Sequence, residues 1–198
     1  MSTLLASLFA AALSIYAIYI GVIGALIALR QRSILLFLVV GLSIMVYRAN
    51  GKVEREPSIP WYDWVLLSVS VFPFGYMIVF ADVIADRLAL ITDLTVLQIV
   101  VGLGAIVVVV ESGRCVLGNA MGILLAISFL YAYFGAWIPG RSGHRFFEVP
   151  WLIDHFYFTP NVILGVPVGI VSTYVALFVV FGFFLERGGS IKSERHVP

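Results

Sequence analysis

Long uncharged runs alternate with short charged breaks along this chain. Six runs stand out: Leu4–Leu29, Ser33–Tyr47, Trp64–Ala81, Leu94–Val110, Cys115–Gly140 and Phe156–Leu185. Most reach the roughly 17–25 residues that a helix needs to cross about 30 Å of hydrocarbon. None shows the strict alternation of a barrel strand. Hydrocarbon offers open peptide groups no partner, so the pattern predicts helices throughout. The expected fold is all-α, a polytopic membrane bundle of about six transmembrane helices. Ser33–Tyr47 is its weak element, a marginal span set between arginines.

The breaks predict an organisation. Residues 1–50 read as an N-terminal helical hairpin and 51–140 as a three-helix membrane core. Residues 141–160 read as an outer interfacial amphipathic segment, 161–187 as the last membrane helix, and 188–198 as a polar cytoplasmic tail. The first run has no Lys or Arg ahead of it and is too long for a signal-peptide core, so it reads as a retained helix.

Composition agrees with the pattern. Hydrophobic residues make up 62% of the 198 and charged residues 12%, too few to cover a soluble domain. The net charge of +1, with Lys and Arg confined to the breaks, argues against a nucleic-acid partner. The single cysteine, Cys115, excludes an intrachain disulfide.

Basic residues favour the cytoplasmic side of short loops. With six spans and the N-terminus inside, Arg48, Lys52, Arg55, Arg114, Arg187, Lys192 and Arg195 fall inside. Arg30, Arg32, Arg87, Arg141 and Arg145 fall outside. If Ser33–Tyr47 does not cross, there are five spans, the N-terminus is outside, and Arg30 and Arg32 join the inner set. Both arrangements place Arg141–His155 outside and the tail inside.

Candidate chemistry is sparse. No ionisable residue falls in the middle of any run, whereas ion and proton pathways usually need such groups at midplane depth. Ser172 and Thr173, the most polar neighbours within a span, read as bonded within their own helix. Trp61, Tyr62 and Trp64, with Tyr131, Tyr133 and Trp137, read as an interfacial aromatic belt. Pro73 is expected to kink the third span. Gly165, Pro167 and Gly169 predict an irregular start to the last helix. Glu111 and Arg114, one turn apart, are either a local ion pair or a partner contact. Asp63 complements the dipole at a helix start. Gly118 and Gly122 form a G-x-x-x-G at the start of the fifth helix, suited to close helix contact. His144, Asp154 and His155 match no metal-ligand spacing, and no metal or cofactor site is expected. No nucleophilic triad or phosphate loop is present, so no catalytic residue is assigned. Phe147, Trp151, His155 and Phe158 fall at helical spacing and give one aromatic face. That face suits a helix lying on the membrane or a docking surface, with Arg141, Arg145 and Trp151 as its contact candidates.

The order of motifs resembles one family. Gln31-Arg32-Ser33 opens the second helix and Pro60-Trp61-Tyr62-Asp63-Trp64 the third. Thr92-Asp93-Leu94 leads an aliphatic span to Glu111, with Arg114 beyond it. Tyr131-Ala132-Tyr133-Phe134-Gly135 and Pro139-Gly140 close the fifth. Phe156-Tyr157-Phe158-Thr159-Pro160 precedes Gly165 to Thr173, and the run Leu177–Glu186 completes the match. Over residues 31–186 this is similar to the amino-terminal part of fused permeases of tripartite ATP-independent periplasmic (TRAP) transporters, in the branch served by TAXI-type binding proteins. The chain departs at Arg114-Cys115, where the family tends to have two basic residues, and at Asn161-Val162, where it often has Glu-Gly. It also ends at Pro198, where the resembling permeases continue into a large transport domain, so no transport-site residue is carried over.

The resemblance implies a small, non-enzymatic scaffold subunit of a secondary active transporter in a bacterial or archaeal inner membrane. Its implied partners are the lipid bilayer, a large TRAP transport subunit and a periplasmic TAXI-type solute-binding protein that delivers a carboxylate-type solute. Two other classes stand beside it. One is a free-standing channel or carrier that oligomerises through the Gly118–Gly122 face. The other is a membrane enzyme using Asp63, Asp82, Glu111 or the outer histidines, although these are dispersed between opposite faces.

Overall fold

The computed structural model describes residues 2–24, 26–46, 61–138, 143 and 145–187, with backbone alone at 2–5, 61–63 and 176. The chain is an all-α bundle, with no strand among the described residues. Helix α1 spans Ser2–Ile23, α2 Ala28–Val46, α3 Trp61–Asp86, α4 Val96–Leu117 and α5 Asn119–Phe134. A short helix α6, Val149–Ile153, runs on into one wide turn over Asp154–Phe158. The last crossing is one continuous helical run, Val166–Arg187, with a wide turn inside it: α7 over Val166–Ile170, the wide turn over Val171–Val175, then α8 over Ala176–Arg187.

Six of these segments are long and apolar enough to cross a membrane, with mean hydropathies of 1.7 to 2.4. The chain is a multi-pass membrane protein. The second crossing is longer than its uncharged run because Arg30, Gln31 and Arg32 lie inside the helix, giving Ala28–Val46 its 19 residues. Long arginine side chains can reach the headgroup level from the first turn of a helix, so flanking charge does not shorten a span.

Local chemistry sets the boundaries. Thr95 caps α4 reciprocally with Gln98: the Gln98 amide donates to Thr95 Oγ1 at 3.4 Å, and the Thr95 amide donates to Gln98 Oε1 at 2.9 Å. Gly118, at φ +90°, makes the corner between α4 and α5. That left-handed backbone suits glycine and little else. Gly118 is therefore a junction, and the expected G-x-x-x-G face is not formed by two residues of one helix. Pro73 is accommodated without leaving helical geometry. The break in α3 falls at Phe80 instead, at φ −100° and ψ 15°.

The core lies between α2, α3, α4 and the α6 segment. Phe74, Met77, Val101, Val108, Ile153 and Tyr157 are all at 0% exposure within it. The expected division at residue 50 separates no packing unit, since Leu29, Val40 and Ile44 of α2 join this same core. Helix α1 adds a smaller cluster of Tyr16 and Ile20 with Leu35. Helices α5 and α8 stand at the margins: only 11% and 6% of their spans are buried within the chain.

Candidate functional site

Part of the segment after α5 packs into the bundle. Leu152, Ile153, Asp154, Tyr157, Phe158 and Thr159 are all buried. Ile153 and Phe158 seat against Gly102 of α4, where an added Cβ would meet the Ile153 side chain. The Tyr157 hydroxyl donates to the Pro73 carbonyl at 2.6 Å, at the middle of the 26-residue α3. This segment is a plug, packed into the bundle from the end that carries residues 87–95. Irregular backbone at membrane depth must be covered by protein and bonded. The plug meets that demand: Thr159 Oγ1 donates to the His155 carbonyl at 2.7 Å, and the Ile163 amide to the Phe156 carbonyl at 3.1 Å.

An ion pair clamps the plug. Arg87 Nη2 donates to Asp154 Oδ1, with side chains only 11% and 3% exposed. The other carboxylate oxygen of Asp154 accepts the Leu90 amide at 2.8 Å. Leu90 has φ +64°, uncommon for a residue with a Cβ, so the carboxylate holds a disfavoured turn in place. Arg87 also stands over the Phe158 ring, 5.3 Å from its centroid.

Above the clamp sits the aromatic face. The Phe147 and Trp151 rings stack at 4.3 Å, and Trp151 stacks on His155 at 5.3 Å, each pair within 13° of parallel. The Arg145 guanidinium lies 5.0 Å from the Phe147 centroid and 5.8 Å from that of Trp151. Phe158 is not part of this face. The wide turn over Asp154–Phe158 shifts the helical register, and Phe158 turns into the core against Tyr76. A cleft of about 200 Å³ between this face and residues 90–94 is lined by Glu148, Trp151 and Asp154. Arg141 and His144 lie outside the described residues.

A polar seam joins α2 to the start of the last crossing at the same end. Gln31 Nε2 donates to Ser172 Oγ at 3.1 Å and to Thr173 Oγ1 at 2.9 Å. Both hydroxyls donate to the Gly169 carbonyl, at 2.9 and 3.0 Å, which is the helix-internal bonding expected of them. The Gln31 carbonyl accepts the Tyr16 hydroxyl at 2.7 Å. Arg32 Nη1 donates to the Leu164 carbonyl at 2.5 Å. Arg30 covers the α3 break, donating through Nε to the Ile78 carbonyl at 3.0 Å and through Nη2 to Asp82 at 2.5 Å.

At the opposite end, Arg114 forks onto Glu111, with Nε to Oε2 at 2.9 Å and Nη2 to Oε1. Its Nη1 donates to Asn119 Oδ1 at 3.3 Å, across the Gly118 corner. Gly122 gives room to the Arg114 stem, which a Cβ there would meet at 2.8 Å. Glu111, Arg114, Gly118 and Gly122 thus form one cluster that braces α4 against α5. Of the sequence candidates, Arg145 and Trp151 come together at one end and these four at the other. Arg87, Asp154 and Gln31 are structurally central, yet their pairings are not legible in the local sequence: their partners lie 67, 67 and 141 residues away.

No protein-family model, curated protein or solved structure matches this chain.

Proposed function

We propose that this chain is the membrane scaffold subunit of a TRAP-type secondary active transporter. In that role it braces a large transport subunit that imports a carboxylate-type solute delivered by a binding protein. The observation that carries the reading is the contrast between centre and margins. The interior between α2, α3 and α4 is filled by close-packed apolar side chains and sealed by the plug, which suits a rigid body. The spans of α5 and α8 are 11% and 6% buried and carry large apolar residues outward, among them Ile127, Phe178 and Phe184. Such faces suit lipid and a broad helical partner. The order of motifs over residues 31–186 supplies the family. The bias of Lys and Arg supports a cytoplasmic C-terminus, with the plug and its aromatic face outside.

On this reading Arg145 and Trp151, with Arg141, meet the binding protein or the large subunit at the outer surface. Affinity purification of the tagged chain from native membranes in mild detergent tests the assignment. A larger polytopic protein is expected to co-purify in fixed ratio, and a clean homo-oligomer would instead support a free-standing channel or carrier. Charge reversal at Arg141 and Arg145 with Trp151→Ala is expected to abolish solute uptake or assembly. Unchanged uptake and assembly would remove the docking role from this surface.

A further inference from the structure

We infer that the first turns of the last crossing and the start of α2 form a binding site for the phosphate headgroup of an anionic phospholipid. The site is a cavity of about 280 Å³ between the first turns of α2 and residues 166–174. It differs from the docking face in position and in chemistry.

Charge decides what the cavity takes. Arg30 has a carboxylate partner in Asp82, and Arg87 has one in Asp154. Arg32 is partnered by the Leu164 carbonyl and pairs with no acid among the described residues. A guanidinium presents five N–H donors, so most of its capacity stays open toward the cavity it lines. No Asp or Glu lines that cavity. The neighbouring hydroxyls contribute little further donation, because Ser172 and Thr173 have both spent their protons on the Gly169 carbonyl. Gly169 itself has no side chain, and a Cβ there would meet Arg32 Nη2 at 2.8 Å, so glycine leaves the cation its place.

The rim decides between sources of phosphate. Val166 is 65% exposed and Tyr174 60%, with Ile170 half exposed between them on the same helical face. An open apolar rim beside a cation at headgroup level fits a phosphodiester with acyl chains lying along α7. A free phosphate would leave that rim without a partner. Bidentate, charge-assisted bonds from a guanidinium to phosphate are among the strongest available at such a depth.

The test uses the purified, delipidated full chain in mild detergent, with native mass spectrometry of lipid adducts and the unfolding temperature as readouts. The probes are phosphatidylglycerol, phosphatidylcholine and inorganic phosphate. Phosphatidylglycerol is expected to bind one to one and raise the unfolding temperature, with phosphatidylcholine about tenfold weaker. Arg32→Gln is expected to weaken phosphatidylglycerol about tenfold. Val166→Glu keeps every internal bond of Arg32 and sets a competing carboxylate at the rim, so it should weaken the lipid similarly while leaving the lipid-free unfolding temperature in place. Wild-type affinity for phosphatidylglycerol in a folded Val166→Glu protein would overturn the assignment. So would stabilisation by inorganic phosphate equal to that by the lipid, which would make the occupant a free anion.

Discussion

Asp154 shows how one side chain can hold a whole segment. Its carboxylate takes the Arg87 guanidinium on one oxygen and the Leu90 amide on the other, almost out of contact with solvent. Removing one partner of such a pair strands the other, and the desolvation cost of the remaining charge dominates. Asp154→Ala is expected to cost about 3 kcal/mol, measured by thermal unfolding in detergent. Adding Arg87→Met should recover part of that loss, since no buried charge is then left over. Recovery should be incomplete, because Leu90 still loses the acceptor that holds its left-handed turn. If the double variant were as unstable as the sum of the two singles, the pair would not be coupled as drawn. Arg30 and Asp82 make an instructive contrast. Their side chains are 30% and 53% exposed, so the same chemistry contributes little to stability there.

At the scale of elements, the plug depends on a glycine. Gly102 leaves a hollow on α4 that Ile153 fills, and an added Cβ would run into the Ile153 β-branch methyl. Gly102→Ala is expected to cost about 1–3 kcal/mol by overpacking. In an Ile153→Leu background the same substitution should cost clearly less, because leucine has no methyl at that branch point. Additive costs across the two sites would mean that Ile153 does not seat there. This element also marks the limit of the sequence. The six long apolar runs could be read because the demand for a self-bonded helix in hydrocarbon leaves one solution. The plug could not. Phe147, Trp151, His155 and Phe158 sit at helical spacing, and a short apolar helix looks the same whether it rests on lipid or on protein. A single wide turn over Asp154–Phe158 then moves Phe158 off the shared face and into the core. The clamp and the polar seam are equally invisible, because nothing local in the sequence ties Arg87 to Asp154 or Gln31 to Ser172. The Gly118 corner escapes for a related reason: spacing alone does not distinguish a helix-packing glycine from one that ends the helix.

At the scale of the molecule, six antiparallel crossings make a definite statement about sides. The start of α1 and the end of α8 share one side, and residues 87–95 share the other with residues 145–165. The second crossing is the one that its uncharged run leaves marginal. Its helix, with the arginines included, is long enough to span, which favours six crossings over five. The single cysteine makes this testable with little disturbance, since Cys115 is buried and can be replaced to give a thiol-free background. In a Cys115→Ser chain, single cysteines are placed at Leu88 or Gly143 at the plug end and at Arg187 at the other, all three exposed positions. With the orientation proposed above, a membrane-impermeant thiol reagent should label the first two on intact cells and Arg187→Cys only after permeabilisation. Opposite behaviour at all three positions would invert the protein and place the aromatic face and the plug in the cytoplasm. A binding protein outside could not then dock on Arg145 and Trp151. Labelling of Gly143→Cys and Arg187→Cys from the same side would mean that the last segment does not cross. The lipid site between α2 and α7 would then lose its membrane-facing wall. The docking face thus depends on which side the plug end faces, and the headgroup site on the last segment crossing at all.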